Sequence, residues 1–321
     1  MSEISTAQTP FDNPECDIIL RSADGVDFHV FKLVLSLVSD VFKYMFTLPQ
    51  DATQSDVSFV PIIPVTDNST TLESLLLLCY PAATPTFKTL EDAKAVLEAV
   101  RKYDMGTVID HARDIVFAQF LETKPLELYA LSCVFGWKQF AQKAAIQTLQ
   151  INLKDLGQPS RSGLVGMKDM SASDYHKLLN YHHRCGVAAQ AVGKSLTWLP
   201  PAFSKICMWN CGLEVRLAGS TCNMIKKIHV GKLGKVLITP WFDEYLVSSG
   251  KELYEKPCHL TLSMWRLPSY NRAISKAISC SYCRIHVVDH MEIFRAVYDS
   301  EVKSVLAKVS LLELIIDSKL A

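Results

Sequence analysis

The spacing of apolar residues changes period near the start of the chain. Two short apolar runs, Cys16–Leu20 and Val26–Val30, flank an Asp24-Gly25 step, which is typical of a tight turn between antiparallel strands. Beyond residue 30, apolar side chains recur at the three- and four-residue intervals of a helix. The pattern therefore predicts a β-hairpin followed by a helix, with a second short helix at Val41–Phe46.

Most of the remaining chain shows helical periodicity. Helices are predicted at Leu90–Tyr103, Val108–Leu121, Leu126–Phe135, Trp137–Leu149 and Ser173–Val192. A long amphipathic helix near the C-terminus has Ile293, Phe294 and Val297 among its apolar positions. The exception is Val57–Ile63, where prolines bound an apolar run. Because proline cannot donate a ladder hydrogen bond, this run is predicted to be a short edge strand.

Three groups of residues within the first 105 positions follow a known order. They are Phe28, Lys32 and Leu35; Ser39, Phe42, Met45 and Phe46; and Tyr80-Pro81 with Lys102-Tyr103-Asp104-Met105. In this order, and with these elements between them, they resemble the BTB/POZ domain. Phe31 departs from the pattern, which has a histidine at that place. The resemblance implies an α+β fold, in which a small mixed sheet is flanked by helices.

The resemblance also divides the chain. It implies a BTB/POZ domain at 15–121 and a helical extension at 122–156, while the prolines and polar residues of 1–14 predict a disordered lead-in. A linker at 157–170 and a mostly α-helical C-terminal region at 171–321 follow. The succession of Leu178–Cys185, Cys280-x-x-Cys283 and the long last helix is similar to the tails of BTB proteins of mushroom-type (basidiomycete) fungi.

The function that the resemblance implies is a non-catalytic protein–protein interaction module. Its partner would be a second copy, another BTB protein or, as an adaptor in ubiquitination, a cullin. The candidate partner-binding residues are Phe31, where the family pattern is broken, and four that lie off the apolar stripe of the early helices: Leu33, Leu37, Val41 and Tyr44. The alternative is that they cover the core of their own domain. The cullin signal is incomplete, because Thr89 stands where its apolar residue is expected.

The composition of the chain narrows the classes of function that the protein can have. Lys and Arg together number 33, as do Asp and Glu, so the formal charge is zero. Nucleic-acid binding draws on excess basic residues, and a transcription regulator is therefore the weaker alternative. Neither a signal-peptide pattern nor a membrane-length apolar run is visible. An intracellular protein, cytoplasmic or nuclear, is expected, with its ten cysteines as thiols or metal ligands.

The sharpest chemical signal lies in the C-terminal region. Cys207 and Cys211 are separated by three residues, and Cys280 and Cys283 by two, the spacing of a common zinc half-site. Free cysteine is also a frequent core residue, so packed thiols are the alternative. Four thiolates would leave no open coordination position, and the zinc would therefore be structural. Catalytic and cofactor-binding residues are not predicted, although a metal-dependent regulator or enzyme using residues 200–290 remains a further alternative.

Overall fold

The computed structural model describes residues 4–48, 60–80, 84–158, 164–211, 222, 224, 226–263, 267–309 and 311. Pro81 of the Tyr80-Pro81 motif and the first residues of the predicted strand Val57–Ile63 lie outside these ranges. The chain forms two compact units. The N-terminal unit comprises Met1–Leu131 and Val165–Lys168, and the C-terminal unit comprises Ser132–Leu164 and Asp169–Ala321.

The N-terminal unit contains a four-stranded mixed sheet. Its strands are β1 (Ser5–Thr6), β2 (Ile18–Arg21), β3 (Val26–Val30) and β4 (Ile62–Pro64), in the spatial order β1-β3-β2-β4. Strands β2 and β3 form the predicted antiparallel hairpin, with Gly25 at φ 89° in its turn. The other two pairs, β1 with β3 and β2 with β4, are parallel. The proline-bounded strand β4 lies at the edge of the sheet, as expected because proline has no backbone N–H to donate to a second neighbouring strand.

The start of the chain differs from its prediction. Residues 1–14 were expected to be a disordered lead-in, but β1 pairs with β3 and the Ser5 amide donates to the carbonyl oxygen of Gly25 at 3.1 Å. The ring of Phe11 is fully buried, with centroids 5.8 Å from Phe28 and 5.4 Å from Tyr80. The prediction is wrong over residues 4–14, because a buried aromatic anchors a segment whose polar composition suggested a free end.

Helices cover the sheet of the N-terminal unit. They are α1 (Lys32–Val38), α2 (Asp40–Met45), α3 (Ser69–Cys79), α4 (Leu90–Lys102), α5 (Gly106–Phe120) and α6 (Pro125–Phe135), the last of which continues into the C-terminal unit. Side-chain oxygens cap the N-termini of three of these helices: Ser39 caps α2, Asn68 caps α3 and Thr89 caps α4. Each cap satisfies a backbone N–H that has no partner within the helix. The predicted helices 41–46, 90–103 and 108–121 are confirmed within two residues at each end.

A carboxylate in the hairpin turn also holds the start of α3. Asp24 accepts the Ser69 amide at 2.8 Å and the Ser69 hydroxyl at 2.6 Å. These bonds, with one from Ser22, lower the pKa of Asp24 from its ordinary 3.8 to about 2. A lowered pKa gives stability that is present above the unfolded value and is lost as the pH falls through the folded value.

Replacement of Asp24 by Asn is therefore expected to flatten the acid limb of the stability curve. Wild-type protein should lose stability between about pH 4 and pH 2, and D24N should lose less over that interval. The difference is small, because Asp24 is exposed and solvent screens it. Urea unfolding at a series of pH values measures it. The control is Glu73→Gln, which removes an exposed carboxylate from α3 and should keep the wild-type slope.

The C-terminal unit is mostly helical, as predicted. Its helices are α7 (Lys138–Thr148), α8 (Leu153–Gly157), α9 (Ala172–Val192), α10 (Cys207–Asn210), α11 (Pro240–Glu255), α12 (Leu260–Ser263), α13 (Pro268–Ala277) and α14 (Ser281–Lys308). One antiparallel hairpin, β5 (Lys226–Val230) with β6 (Gly234–Ile238), was not predicted. In β5 the buried Ile228 and Val230 alternate with the exposed Lys227 and His229, a pattern obscured in the sequence by the high local charge. Among the described helices, not one is both long and apolar enough to cross a membrane.

An aromatic core fills the C-terminal unit. Phe294 of α14 packs edge-on against Phe242 of α11, with ring centroids 5.0 Å apart, and lies 5.4 Å from Tyr298. The buried stripe of α14 consists of Cys283, Val287, Met291, Phe294, Tyr298 and Val302. Ile293, expected among the apolar positions of this helix, is 53% exposed. The buried face thus begins at a cysteine at the first turn of α14.

Candidate functional sites: a cysteine cluster and an exposed apolar face

Four cysteine sulfurs converge in the C-terminal unit. The Sγ atoms of Cys211, Cys222, Cys280 and Cys283 all lie within 4.8 Å of one another. Cys211 and Cys280 are 3.6 Å apart, and Cys222 and Cys283 are 3.7 Å apart. Three of the four thiols are buried and Cys222 is half-buried. Such a set can hold a thiophilic cation, form disulfides or remain a cluster of packed thiols.

The four converging thiols differ from the predicted set by one residue. The sequence pointed to Cys207, Cys211, Cys280 and Cys283, and the structure brings together the last three with Cys222 in place of Cys207. Cys207 is buried at the start of α10, where its amide donates to His290 Nδ1 at 3.0 Å. Its thiol contacts that of Cys283 from outside the group of four. Spacing did not indicate Cys222, because it stands eleven residues beyond Cys211 with no cysteine near it in the sequence.

The cluster lies at the positive end of a long helix. Cys280 is the N-cap residue of the 28-residue helix α14, and Cys283 lies in its first turn. The N-terminal end of a helix carries partial positive charge, which favours thiolates. Burial raises the pKa of Cys222, and the contact with Cys207 together with burial raises that of Cys283. Without a cation, these two thiols therefore hold their protons at neutral pH.

A mostly apolar cavity of about 450 Å³ lies elsewhere in the C-terminal unit. Its wall includes Ile146, Leu149, Tyr181, Cys258 and Leu306. Burial raises the pKa of the Cys258 thiol, which makes it a weak nucleophile. Of the two adjacent histidines of α9, His182 is buried with its Nε2 atom 3.1 Å from the Ile151 carbonyl oxygen, and His183 is exposed. His259, which also lines the cavity, lies with its Nδ1 atom 3.4 Å from Asp299 Oδ2.

The second site is the surface of α1 and α2. Five of the seven residues of α1 are apolar, yet Leu35 alone is buried. Leu33 and Leu37 lie four positions apart, on one face of the helix, and are 70% and 75% exposed. Tyr44 of α2 is 68% exposed. Contiguous exposed apolar side chains of this kind are typical of protein–protein contact surfaces.

The exposed surface stands on a rigid base. The Ser39 hydroxyl, between α1 and α2, donates to the Tyr103 carbonyl at 2.5 Å and accepts the Phe42 amide at 3.0 Å. The ring of Phe42 stacks on that of Tyr103, with centroids 4.5 Å apart. Tyr103 in turn donates to Asp67, which also pairs with Lys102 at 2.7 Å. Burial and this contact with Asp67 raise the pKa of Tyr103 and keep its hydroxyl protonated.

Comparison with known families decides the identity of this unit, since the BTB/POZ family matches residues 9–119. Residues 9–119 are a BTB/POZ domain. BTB/POZ domains are protein–protein interaction modules and generally lack catalytic activity. The match begins at residue 9 and so includes Phe11, which the sequence prediction had left outside the domain. No curated protein matches the chain.

The predicted partner-binding residues fall into two groups within the BTB/POZ domain. Leu33, Leu37 and Tyr44 are exposed, whereas Phe31 and Val41 are half-buried. Phe31 precedes α1, and its amide donates to the Tyr80 hydroxyl at 2.8 Å. Its partial burial shows that the aromatic ring in the place of the usual histidine contributes to the packing of its own domain. Leu33, Leu37 and Tyr44 are therefore the members available to a partner, and we call them the α1–α2 face.

Proposed function

We propose that the protein is a non-catalytic interaction module that homodimerises through the α1–α2 face of its BTB/POZ domain. The observation that carries the proposal is helix α1, which has five apolar residues among seven and buries only Leu35. A two-fold dimer places the same face of each copy against the other, so one apolar surface serves as both partners. Zero formal charge leaves no net repulsion between copies.

The exposed leucines are large enough to matter for affinity. Complete burial of one leucine contributes about 1.5–3 kcal/mol, and a symmetric dimer buries Leu33 and Leu37 twice. The sum, about 6–12 kcal/mol before the cost of association, compares with the roughly 8 kcal/mol of a micromolar dissociation constant. Placing charges at these two positions removes this contribution and adds the desolvation cost of the charges.

The full chain is therefore expected to be dimeric at tens of micromolar, with a mass by light scattering twice the 35.9 kDa of one chain. The double variant L33E/L37E should shift to the mass of one chain and keep its circular dichroism spectrum, because both positions face solvent in the monomer. The matched control is Ile285→Glu in the C-terminal unit, at a residue also 70% exposed. It makes the same kind of change outside the proposed face.

Three results would count against homodimerisation through the α1–α2 face. Wild-type protein that is monomeric at these concentrations leaves hetero-association as the role of the face. A dimer that withstands L33E/L37E but dissociates in I285E places the interface in the C-terminal unit. A dimer that withstands both changes requires another surface altogether. Dissociation in L33E/L37E alone is the result that supports the proposal.

Adaptor activity with a cullin remains a prediction of the family resemblance. At the place where the resemblance expects an apolar contact residue, Thr89 accepts the Asp92 amide at 3.1 Å and caps α4. In return, the Thr89 amide donates to Asp92 Oδ2, also at 3.1 Å. The polar side chain therefore has a local role in ending the loop before α4, and the homodimer does not depend on cullin binding.

A further inference from the structure

We propose that Cys211, Cys222, Cys280 and Cys283 bind one zinc ion, which fastens the start of α14 to the segments on either side of residues 212–221. The site lies in the C-terminal unit and is separate from the homodimer face, so it extends the proposed function rather than depending on it. Its role is structural, because four protein sulfurs complete a tetrahedral shell and leave no position for a substrate.

The distances between sulfurs match those of a tetrathiolate site. With a Zn–S bond of about 2.3 Å, tetrahedral geometry places ligand sulfurs about 3.8 Å apart. The two closest pairs, Cys211 with Cys280 and Cys222 with Cys283, stand at 3.6 and 3.7 Å. The whole group lies within 4.8 Å, so small shifts complete the shell. A disulfide, in contrast, requires sulfurs about 2.05 Å apart.

The identity of the donors selects the cation. Four sulfurs without an oxygen among them favour zinc over magnesium or calcium, which prefer oxygen donors. Binding breaks four S–H bonds and forms four Zn–S bonds, the protons pass to solvent, and no atom changes oxidation state. The resulting centre carries two negative charges, and the N-terminus of α14 lies against two of its ligands, Cys280 and Cys283.

The position of the ligands in the chain suggests why a metal would be useful. Cys211 ends the four-residue helix α10, Cys222 precedes strand β5, and the other two ligands begin α14. The pairs in contact are separated by 69 and 61 residues. A short helix and the approach to an isolated hairpin have little local stability of their own. A bond network through zinc would hold these segments to the long helix.

Packed thiols explain the cluster less well. The chain has ten cysteines, and Cys16, Cys79, Cys133, Cys185 and Cys258 lie outside the contacts of this cluster. Thiols that only fill space need not converge, whereas the thiols of the cluster meet around one point. Cys222 is the strongest evidence against simple packing, since it joins the cluster from a chain segment with no second cysteine nearby.

Metal content of the untagged full chain tests the proposal. Protein expressed with zinc and dialysed against a weak chelator should retain about one zinc per chain by elemental analysis. The double variant C280S/C283S should lose it. The matched control Cys258→Ser, a buried thiol of the same unit outside the cluster, should keep the full content.

Two single variants separate the structural assignment from the one that spacing suggested. Cys222→Ser should weaken zinc binding by more than about 100-fold, since even outer-shell changes cost 10–100-fold. Cys207→Ser should leave the content near one per chain. Retention in C222S with loss in C207S would overturn the assignment and restore the set read from the sequence.

X-ray absorption at the zinc edge identifies the atoms bound to the metal in wild-type protein, and so tests the tetrathiolate site even if a variant fails to fold. Four sulfurs at about 2.3 Å are the expected shell. A shell containing nitrogen would bring in a histidine, such as His290 beside Cys207, and contradict the tetrathiolate. Absence of zinc, together with thiol titration showing Cys211–Cys280 or Cys222–Cys283 disulfides, would identify a redox pair instead. Absence of zinc with all thiols free would leave packed cysteines.

Discussion

Removal of zinc is expected to lower the stability of the C-terminal unit by at least about 3 kcal/mol, if four thiolates hold the metal as proposed. Zinc-finger peptides gain about 10–16 kcal/mol from their metal. The value here should be smaller, because this unit also has the aromatic core around Phe242 and Phe294. Urea titration with and without a strong chelator measures the change.

The tryptophans make this measurement specific. All five tryptophans of the chain belong to the C-terminal unit, and two of them, Trp209 and Trp241, are buried in its core. Their emission reports that unit alone. The chelator should move its unfolding midpoint in wild-type protein and in C258S, but cause no further change in C280S/C283S. Loss of zinc without any shift in midpoint would leave the metal bound but without a structural role.

Replacement of Phe42 by Ala is expected to destabilise the BTB/POZ domain by about 3–5 kcal/mol. Phe42 is fully buried and stacks between Tyr103 and Phe46, at centroid distances of 4.5 and 5.9 Å. Its loss leaves a cavity under α2, and therefore also loosens the α1–α2 face and weakens the dimer. Far-UV circular dichroism during urea unfolding is the measurement, since the N-terminal unit has no tryptophan.

Tyr44→Ala on the same helix provides the contrast to Phe42→Ala. Tyr44 is 68% exposed, so its truncation should change stability by less than about 0.5 kcal/mol while weakening the dimer. Equal losses of stability in the two variants would contradict the burial pattern of α2. Unchanged dimerisation in Y44A would remove Tyr44 from the α1–α2 face.

Local sequence signals predicted most of the BTB/POZ domain. The Asp24-Gly25 turn, the short helix predicted at 41–46 and the periodicity of 90–103 each depend on residues close in the chain, and the structure confirms all three elements. Exposure was harder to foresee. Leu33 and Leu35 are chemically identical, and only the elements that pack against α1, which include α3 and α5, decide that the first is exposed and the second buried.

The features that the sequence did not predict share a physical cause, since each depends on contacts between residues far apart in the chain. Phe11 is buried by Phe28 and Tyr80, and nothing in its own neighbourhood signals a strand. Cys222 joins Cys283 across 61 residues, whereas spacing rules detect only ligands from one turn of chain. Fold class follows from periodicity, while a site assembled in space follows from tertiary packing.

The two borders of the β-sheet bear on how copies of this protein meet. An uncovered sheet edge invites another chain to add a strand, which leads to open-ended aggregation. Here β1 offers only two residues, and β4 offers three, one of which is a proline without a donor. Both edges are therefore poor templates for strand addition. If copies do not associate through these edges, they can associate through the helical surface. A two-fold contact between helices closes after two copies and does not grow into a fibre.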